Sequence, residues 1–162
     1  MATSDFDYSQ FEKLVNNFDK MTNEFDTFIR KFLLQMAYRT LARAAKRTPV
    51  DTGFLREAWY VGNESKRIKY NESSGQFGSD YASAFAQKAT LDSVKVIGDS
   101  IEVVIGNIAE YASFIEFGHA YTNGGWYNGK YMLTISIEEI QQQIPKRFEV
   151  EFNKFLKDRG VG

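Results

Sequence analysis

The residues able to do chemistry in this chain are few. Its single His, His119, follows Glu116 by three positions, so a carboxylate and an imidazole can share one helix end and in principle act as an acid–base pair. Nothing accompanies them. With no Cys, disulfides, thiol nucleophiles and Cys-based zinc sites are excluded. With one His, hydrolases that need two are excluded, and any metal would have to sit among carboxylates. Asp99, Glu102, Glu110, Glu116, Glu138 and Glu139 are the candidates, at spacings that match no metal cage. There is no Gly-x-Ser-x-Gly elbow, no Walker-type loop and no Gly-x-Gly-x-x-Gly. His119 reads as a loop or interface residue, and the chain as a non-enzyme without cofactor or metal.

The second chemical feature is charge. Acids dominate the start of the chain (Glu12, Asp19, Glu24, Asp26), whereas Arg30, Lys31, Arg39, Arg43, Lys46 and Arg47 follow with no acid before Asp51. Cations in a last helical turn complement the helix dipole, which accounts for Lys46 and Arg47 but less well for Arg30 to Arg39. The strip is either a solvated face or a surface turned toward phosphates or an acidic partner. A net charge of −1 gives no global signature of nucleic-acid binding.

These residues must be positioned by elements that the pattern makes legible. Ser9 and Glu12 form a capping box. Phe11, Leu14, Val15, Phe18, Met21, Phe25, Phe28, Ile29, Phe32, Leu33 and Met36 then recur at spacings of three and four, continued by Ala37, Leu41, Ala44 and Ala45. The spacing predicts one helix over 9–48, of roughly 36 residues and about 54 Å. That length either projects from the domain, packs against a second subunit, breaks near Asn16-Asn17 or Met21–Glu24, or stays within one core. Pro49 ends the helix, Asp51-Thr52-Gly53 supplies turn chemistry, and Leu55 and Trp59 fit one face of a short helical turn.

Residues 49–130 read as a β-rich body with loops. Within it, Gly62–Ala89 is polar, Asn71–Asp80 reads as an exposed loop, and Ile68 and Tyr70 suit a short strand. Val94–Ile97 and Ile101–Ile105 flank Gly98-Asp99-Ser100 as a hairpin. Glu110–Phe117 predicts a short helix with Gly118 as its C-cap, and Tyr121–Lys130 a loop with three Gly. Met132, Leu133, Ile137, Ile140 and Ile144 begin a helical region over 131–158, which Pro145 kinks or restarts before Phe148, Phe152 and Phe155 continue the stripe. The fold class is α+β: a single domain, 1–162, with 1–8 a flexible N-terminus and the two long helices packed on a small antiparallel sheet.

Composition narrows the reading further. An aromatic fraction of 15%, with fourteen Phe and nine Tyr, fills either a core or a protein–protein surface. The N-terminal residues lack the basic and apolar runs of a signal peptide, and no apolar stretch reaches the length of a membrane span. A soluble protein made in the cytoplasm, with no membrane contact, is expected.

Two blocks carry a resemblance. Thr48-Pro49-Val50-Asp51-Thr52-Gly53, with Leu55, Arg56 and Trp59, follows a long helix; Tyr111, Ala112, Glu116, Gly118 and His119 follow the β-rich middle, before Gly125-Trp126 and Gly129. In order and spacing the chain resembles the tailed-bacteriophage neck and minor-tail (tail-completion) proteins, over residues 9 to about 158. Gly62–Ala89 departs from it, being longer and more polar than a minimal member needs. The resemblance implies a virion protein in a homo-oligomeric ring, sixfold or twelvefold, that joins head to tail around the DNA channel. It implies contacts with neighbouring neck, portal-adaptor and tail proteins, and no catalysis. A tail terminator or collar ring is the near alternative; a nucleic-acid-binding protein using Arg30–Arg47 is the alternative of another class. Pro49, Asp51, Gly53, Leu55, Arg56, Trp59, Tyr111, Glu116, Gly118, His119 and Trp126 are the expected assembly and structural residues, with Arg56 paired to Glu116. Arg30, Lys31, Arg39, Arg43, Lys46 and Arg47 are the candidates for facing DNA.

Overall fold

The computed structural model describes residues 9–51, 53–62 and 91–160, with the side chains of 9–15 and 18 outside that set. The expectations for residues 1–8, for the side chains of the Ser9–Glu12 capping box, for Thr52 and for nearly all of Gly62–Ala89 fall outside the described residues.

Helix α1, Ser9–Arg47, runs without a break through Asn16-Asn17 and Met21–Glu24 for 39 residues, about 58 Å. It presents two apolar faces. Leu34, Ala37, Tyr38, Leu41, Ala44 and Ala45, spaced by three and four, bury against Leu55, Ala58, Trp59, Val61, Val94, Ala109 and Met132. Phe32 and Met36 face Ile140, Ile144 and Phe148 of the C-terminal helix. The small residues Ala44 and Ala45 are almost completely buried where the helix meets the body, so a larger side chain there would push the layers apart.

Beyond Pro49 the chain forms one helical turn, α2 (Phe54–Glu57), and then strand β1 (Trp59–Val61). Leu55 and Trp59 are both buried, but Trp59 belongs to the strand and not to the helical turn. A 3-10 turn (Leu91–Ser93) leads into β2 (Val94–Ile97), which pairs antiparallel with β3 (Ser100–Val103) across the two-residue turn Gly98-Asp99. The expected single strand Ile101–Ile105 divides at Val104. Its first part serves β2; the remainder, β4 (Ile105–Asn107), pairs with β1 in the register Trp59↔Asn107 and Val61↔Ile105. Two different partners cannot share one straight strand, and the chain changes ladder where the Gly62 N–H donates to Val104 O (2.7 Å).

Helix α3 (Ala112–Phe117) gives way at Gly118 to β5 (Gly118–Ala120). The expected loop Tyr121–Lys130 contains β6 (Trp126–Asn128), which pairs with β5. The described strands thus make three two-stranded antiparallel ladders instead of one sheet. The last helix, α4 (Met132–Lys157), continues through Pro145 as one element, so of the two expectations, a kink or a restart, the restart does not occur. Its Phe148, Phe152 and Phe155 pack edge-on or tilted against Phe25, Phe28 and Phe32 of α1, with ring centroids 4.8–6.2 Å apart. Six rings meshed along two helices explain how a continuous helix containing an internal Pro is held: the packing outweighs the lost backbone bond.

Candidate assembly site

The elbow after α1 is held by hydrogen bonds focused on Thr48. Its hydroxyl donates to Ala44 O (2.8 Å) and accepts the indole N–H of buried Trp59 (2.8 Å). Its carbonyl accepts from the guanidinium of Arg56 (2.9 Å). Gly53 takes φ 85, a conformation that would strain a residue bearing a Cβ, and its carbonyl receives the N–H groups of Arg56 and Glu57 (3.1 Å each). Pro49 and Asp51 are exposed; Leu55 is buried and Arg56 half-buried. Asn107 bonds Leu55 O (2.7 Å) and accepts from the Ala109 N–H (2.9 Å), tying the elbow to the segment that leads into α3.

Glu116 has a different partner from the one expected. Its carboxylate accepts the Leu133 N–H (3.0 Å), the Thr134 N–H (2.9 Å) and the Thr134 hydroxyl (2.8 Å), so it caps the first turn of α4 from across the chain. Arg56 bonds Thr48 instead, and the predicted Arg56–Glu116 pair is replaced by two separate clamps. The physical reason is the N-terminus of α4, whose orphan N–H groups and positive dipole end attract a carboxylate. Tyr131, in the N-cap position at φ 47, contributes no side-chain cap, so the capping is done by Glu116. The backbone adds Lys130 N to Ile115 O (2.8 Å) and Tyr131 N to Glu116 O (3.0 Å). No sequence rule for local caps finds this, because cap and helix are seventeen residues apart.

His119 sits in a pile of rings. It stacks on its cross-strand partner Tyr127 (5.3 Å), meets Phe114 (5.7 Å) and Tyr121 (5.9 Å) edge-on, and its Nδ1 is enclosed with no hydrogen-bond partner among the described residues. Glu116, turned to α4, does not serve it as a carboxylate partner. The imidazole acts here as an aromatic plate. Gly118, at φ 86, allows the turn from α3 into β5; a Cβ there would strike the Tyr127 carbonyl. Around this hairpin, Phe114 is 54%, Phe117 60% and Trp126 61% exposed, and Tyr111 and Tyr121 are exposed as well. Sequence reading placed Tyr111, His119 and Trp126 here but missed Phe114, Phe117 and Tyr127. An alternating apolar pattern at Trp126–Asn128 is too short to signal a strand.

The basic strip is largely occupied within the molecule. Arg30 pairs with Asp26 (2.7 Å) and donates to Val94 O (3.0 Å). Arg43 and Arg47 both grip Glu139 of α4, and Arg47 also donates to buried Ser136 (3.2 Å). Lys31 and Lys46 are exposed. Arg39 differs from all of these: its Nε is buried with no hydrogen-bond partner. Its pKa is drawn below the ordinary arginine value by burial first and by Arg147 next, with Glu151 opposing and Arg43 adding to the fall.

Two helices braced through a β body, with a crest of exposed rings, define an α+β protein whose site consists of clamps and contact surfaces. Among the described residues no group of three or more His, Cys, Asp or Glu could hold a metal ion, and no helix is long and apolar enough to cross a membrane. A family model described as "Bacteriophage HK97-gp10, putative tail-component" matches residues 12–118, about two thirds of the chain. The chain belongs to this HK97-gp10-like family of phage tail components. The match takes in the elbow and the block from Tyr111 to Gly118, and ends before His119, the β5–β6 hairpin and α4. Comparison with curated proteins and with solved structures gave no match.

Proposed function

We propose that this tail component is a subunit of a homo-oligomeric ring in the neck, joining the DNA-filled head to the tail and surrounding the DNA channel. The observation that carries the reading is the aromatic crest. The exposed parts of Phe114, Phe117, Tyr121 and Trp126 amount to on the order of 500 Å², given the 150–250 Å² that a whole aromatic side chain buries. That equals the largest apolar patch usual on a monomer, and approaches the roughly 800 Å² per partner of a stable interface. The crest is mounted on α3 (Phe114, Phe117) and on the β5–β6 hairpin (Tyr121, Trp126), which Glu116 and the His119 ring pile hold in place, so it is presented with little ordering cost on docking.

Native mass spectrometry and negative-stain imaging of the purified protein, alone and with tail tubes, test this. A sixfold or twelvefold ring, or a ring capping the tube, is expected. A monomer indifferent to both head and tail would overturn the reading. A tail terminator or collar ring differs only in which neighbour is touched, so the same imaging separates it from a neck ring. A DNA-gripping role for Arg30–Arg47 is disfavoured by the intramolecular partners of Arg30, Arg43 and Arg47. It would require strongly salt-dependent duplex binding by the isolated protein.

A further inference from the structure

Two features remain without a use in the fold. One is basic. Arg39, its Nε buried and unpartnered among the described residues, lies in electrostatic reach of Arg147 and Glu151 across the α1–α4 seam. An open groove of about 450 Å³ on α4 is lined by Gln142, Gln143, Lys146, Arg147, Val150 and Glu151, of which Arg147 and Glu151 are the charged neighbours of Arg39. Glu139 is engaged by Arg43 and Arg47, and Arg147 gives its Nε only to Gln143 (3.2 Å). Arg39, Lys146 and Arg147 therefore outnumber Glu151, and Val150 adds exposed apolar surface.

The other feature is acidic. The β2–β3 hairpin is tight, with Gly98 at φ 59 leading the two-residue turn, as a type II′ turn requires. Asp99 stands in its turn, Glu102 lies three pairs along the ladder opposite the hairpin's one cation, Lys95, and Val96 and Ile97 are exposed beside them. Each surface thus pairs apolar area with charge, of opposite sign.

We infer that the β2–β3 hairpin of one copy docks along the α4 groove of the next, with Asp99 of its turn and Glu102 of its strand meeting Arg39, Lys146 and Arg147. This rests on the ring reading, which it supplies with a head-to-tail contact between two different surfaces, the kind that closes into a ring. A duplex is the poorer occupant. Glu151 would repel a continuous line of phosphates, and the two Gln and Val150 suit a peptide segment. The like-charged neighbours of Arg39, Arg147 and Arg43, favour an incoming carboxylate.

The chain's lack of Cys makes the test direct. Full-length Asp99→Cys and Lys146→Cys proteins, mixed under mild oxidation, are expected to form an intermolecular disulfide much faster than Asp99→Cys mixed with Asp19→Cys. In parallel, D99K/E102K and K146E/R147E are each expected to weaken self-association, read by native mass spectrometry, by about tenfold or more, equivalent to about 1.4 kcal/mol. Mixing the two reversed proteins is expected to restore assembly, since each groove then meets a hairpin of opposite charge. Circular dichroism checks that both fold, and the milder Arg39→Gln should weaken assembly in the same direction. Rings that persist through both reversals, with cross-linking no faster than the control, would overturn this contact and leave the ring reading standing. Monomers under every condition, tail tubes included, would overturn both. Duplex DNA binding lost on K146E/R147E, with assembly unchanged, would assign the groove to phosphates and overturn the inference.

Discussion

Glu116 shows how a carboxylate that looks catalytic in sequence becomes structural in space. Buried and bonded to two N–H groups and a hydroxyl at the start of α4, it holds the hairpin and the C-terminal helix in one geometry. Glu116→Ala removes a charge-assisted cap and leaves three donors without an acceptor. Stability is expected to fall by about 2–3 kcal/mol in chemical denaturation, from the cost of lost hydrogen bonds to a charged group. Thr48 is the comparable residue at the elbow. Thr48→Val keeps the shape but removes the acceptor of the Trp59 indole N–H. A loss of about 1–3 kcal/mol is expected from the unsatisfied buried donor. Thr48→Ser, which keeps the hydroxyl, should recover most of it in the same denaturation experiment.

Among the elements, α4 is the one whose behaviour departs most from its local sequence. Pro145 cannot donate to the helix ladder, yet the helix continues, because Phe148, Phe152 and Phe155 on the far side of Pro145 are locked into the α1 rings and Ile140 and Ile144 are packed on the near side. Pro145 is exposed, so its ring contributes little packing. Pro145→Ala is expected to raise the thermal midpoint, with a gain of up to about 3 kcal/mol, the usual cost of an interior Pro. A drop in the midpoint would mean that the proline's local geometry is needed for the ring stack. The β5–β6 hairpin makes the converse point: three-residue strands are held by their cross-strand partners and by the close approach that Gly118 permits, not by strand propensity.

For the whole molecule, surface and core separate cleanly enough to be tested independently. Trp126 and Phe117 are among the most exposed large side chains and sit outside the buried clusters. Trp126→Ala combined with Phe117→Ala is expected to change stability by less than about 0.5 kcal/mol, as surface substitutions do. The same variant should lose ring formation or attachment to tail tubes in native mass spectrometry and imaging. A stable, fully assembling double variant would remove the aromatic crest from the assembly role. The net charge of −1 hides the arrangement that matters here: Arg30 pairs with Asp26, and Arg43 and Arg47 share Glu139, while the buried Nε of Arg39 has no hydrogen-bond partner among the described residues.

Long-period patterns were legible in the sequence by itself. Apolar spacing of three and four marked both long helical regions, though not whether they run unbroken; Pro49 and Gly53 marked the elbow, and the alternating runs around Gly98-Asp99 the β2–β3 hairpin, since each depends on neighbours within a few residues. The Thr48–Trp59 and Tyr111–His119 blocks carried the family resemblance. What tertiary structure decided were the matters of partner choice: Glu116 capping a helix seventeen residues away, Arg56 bonding Thr48, and β4 leaving β3 for β1. So, too, were His119 among rings and Arg39 alone among the strip's arginines in having no acceptor for its buried Nε. Their physical cause is common. A hydrogen-bonding or charged group takes the partner that packing brings within about 3 Å, and local sequence does not encode which distant donor or acceptor that will be.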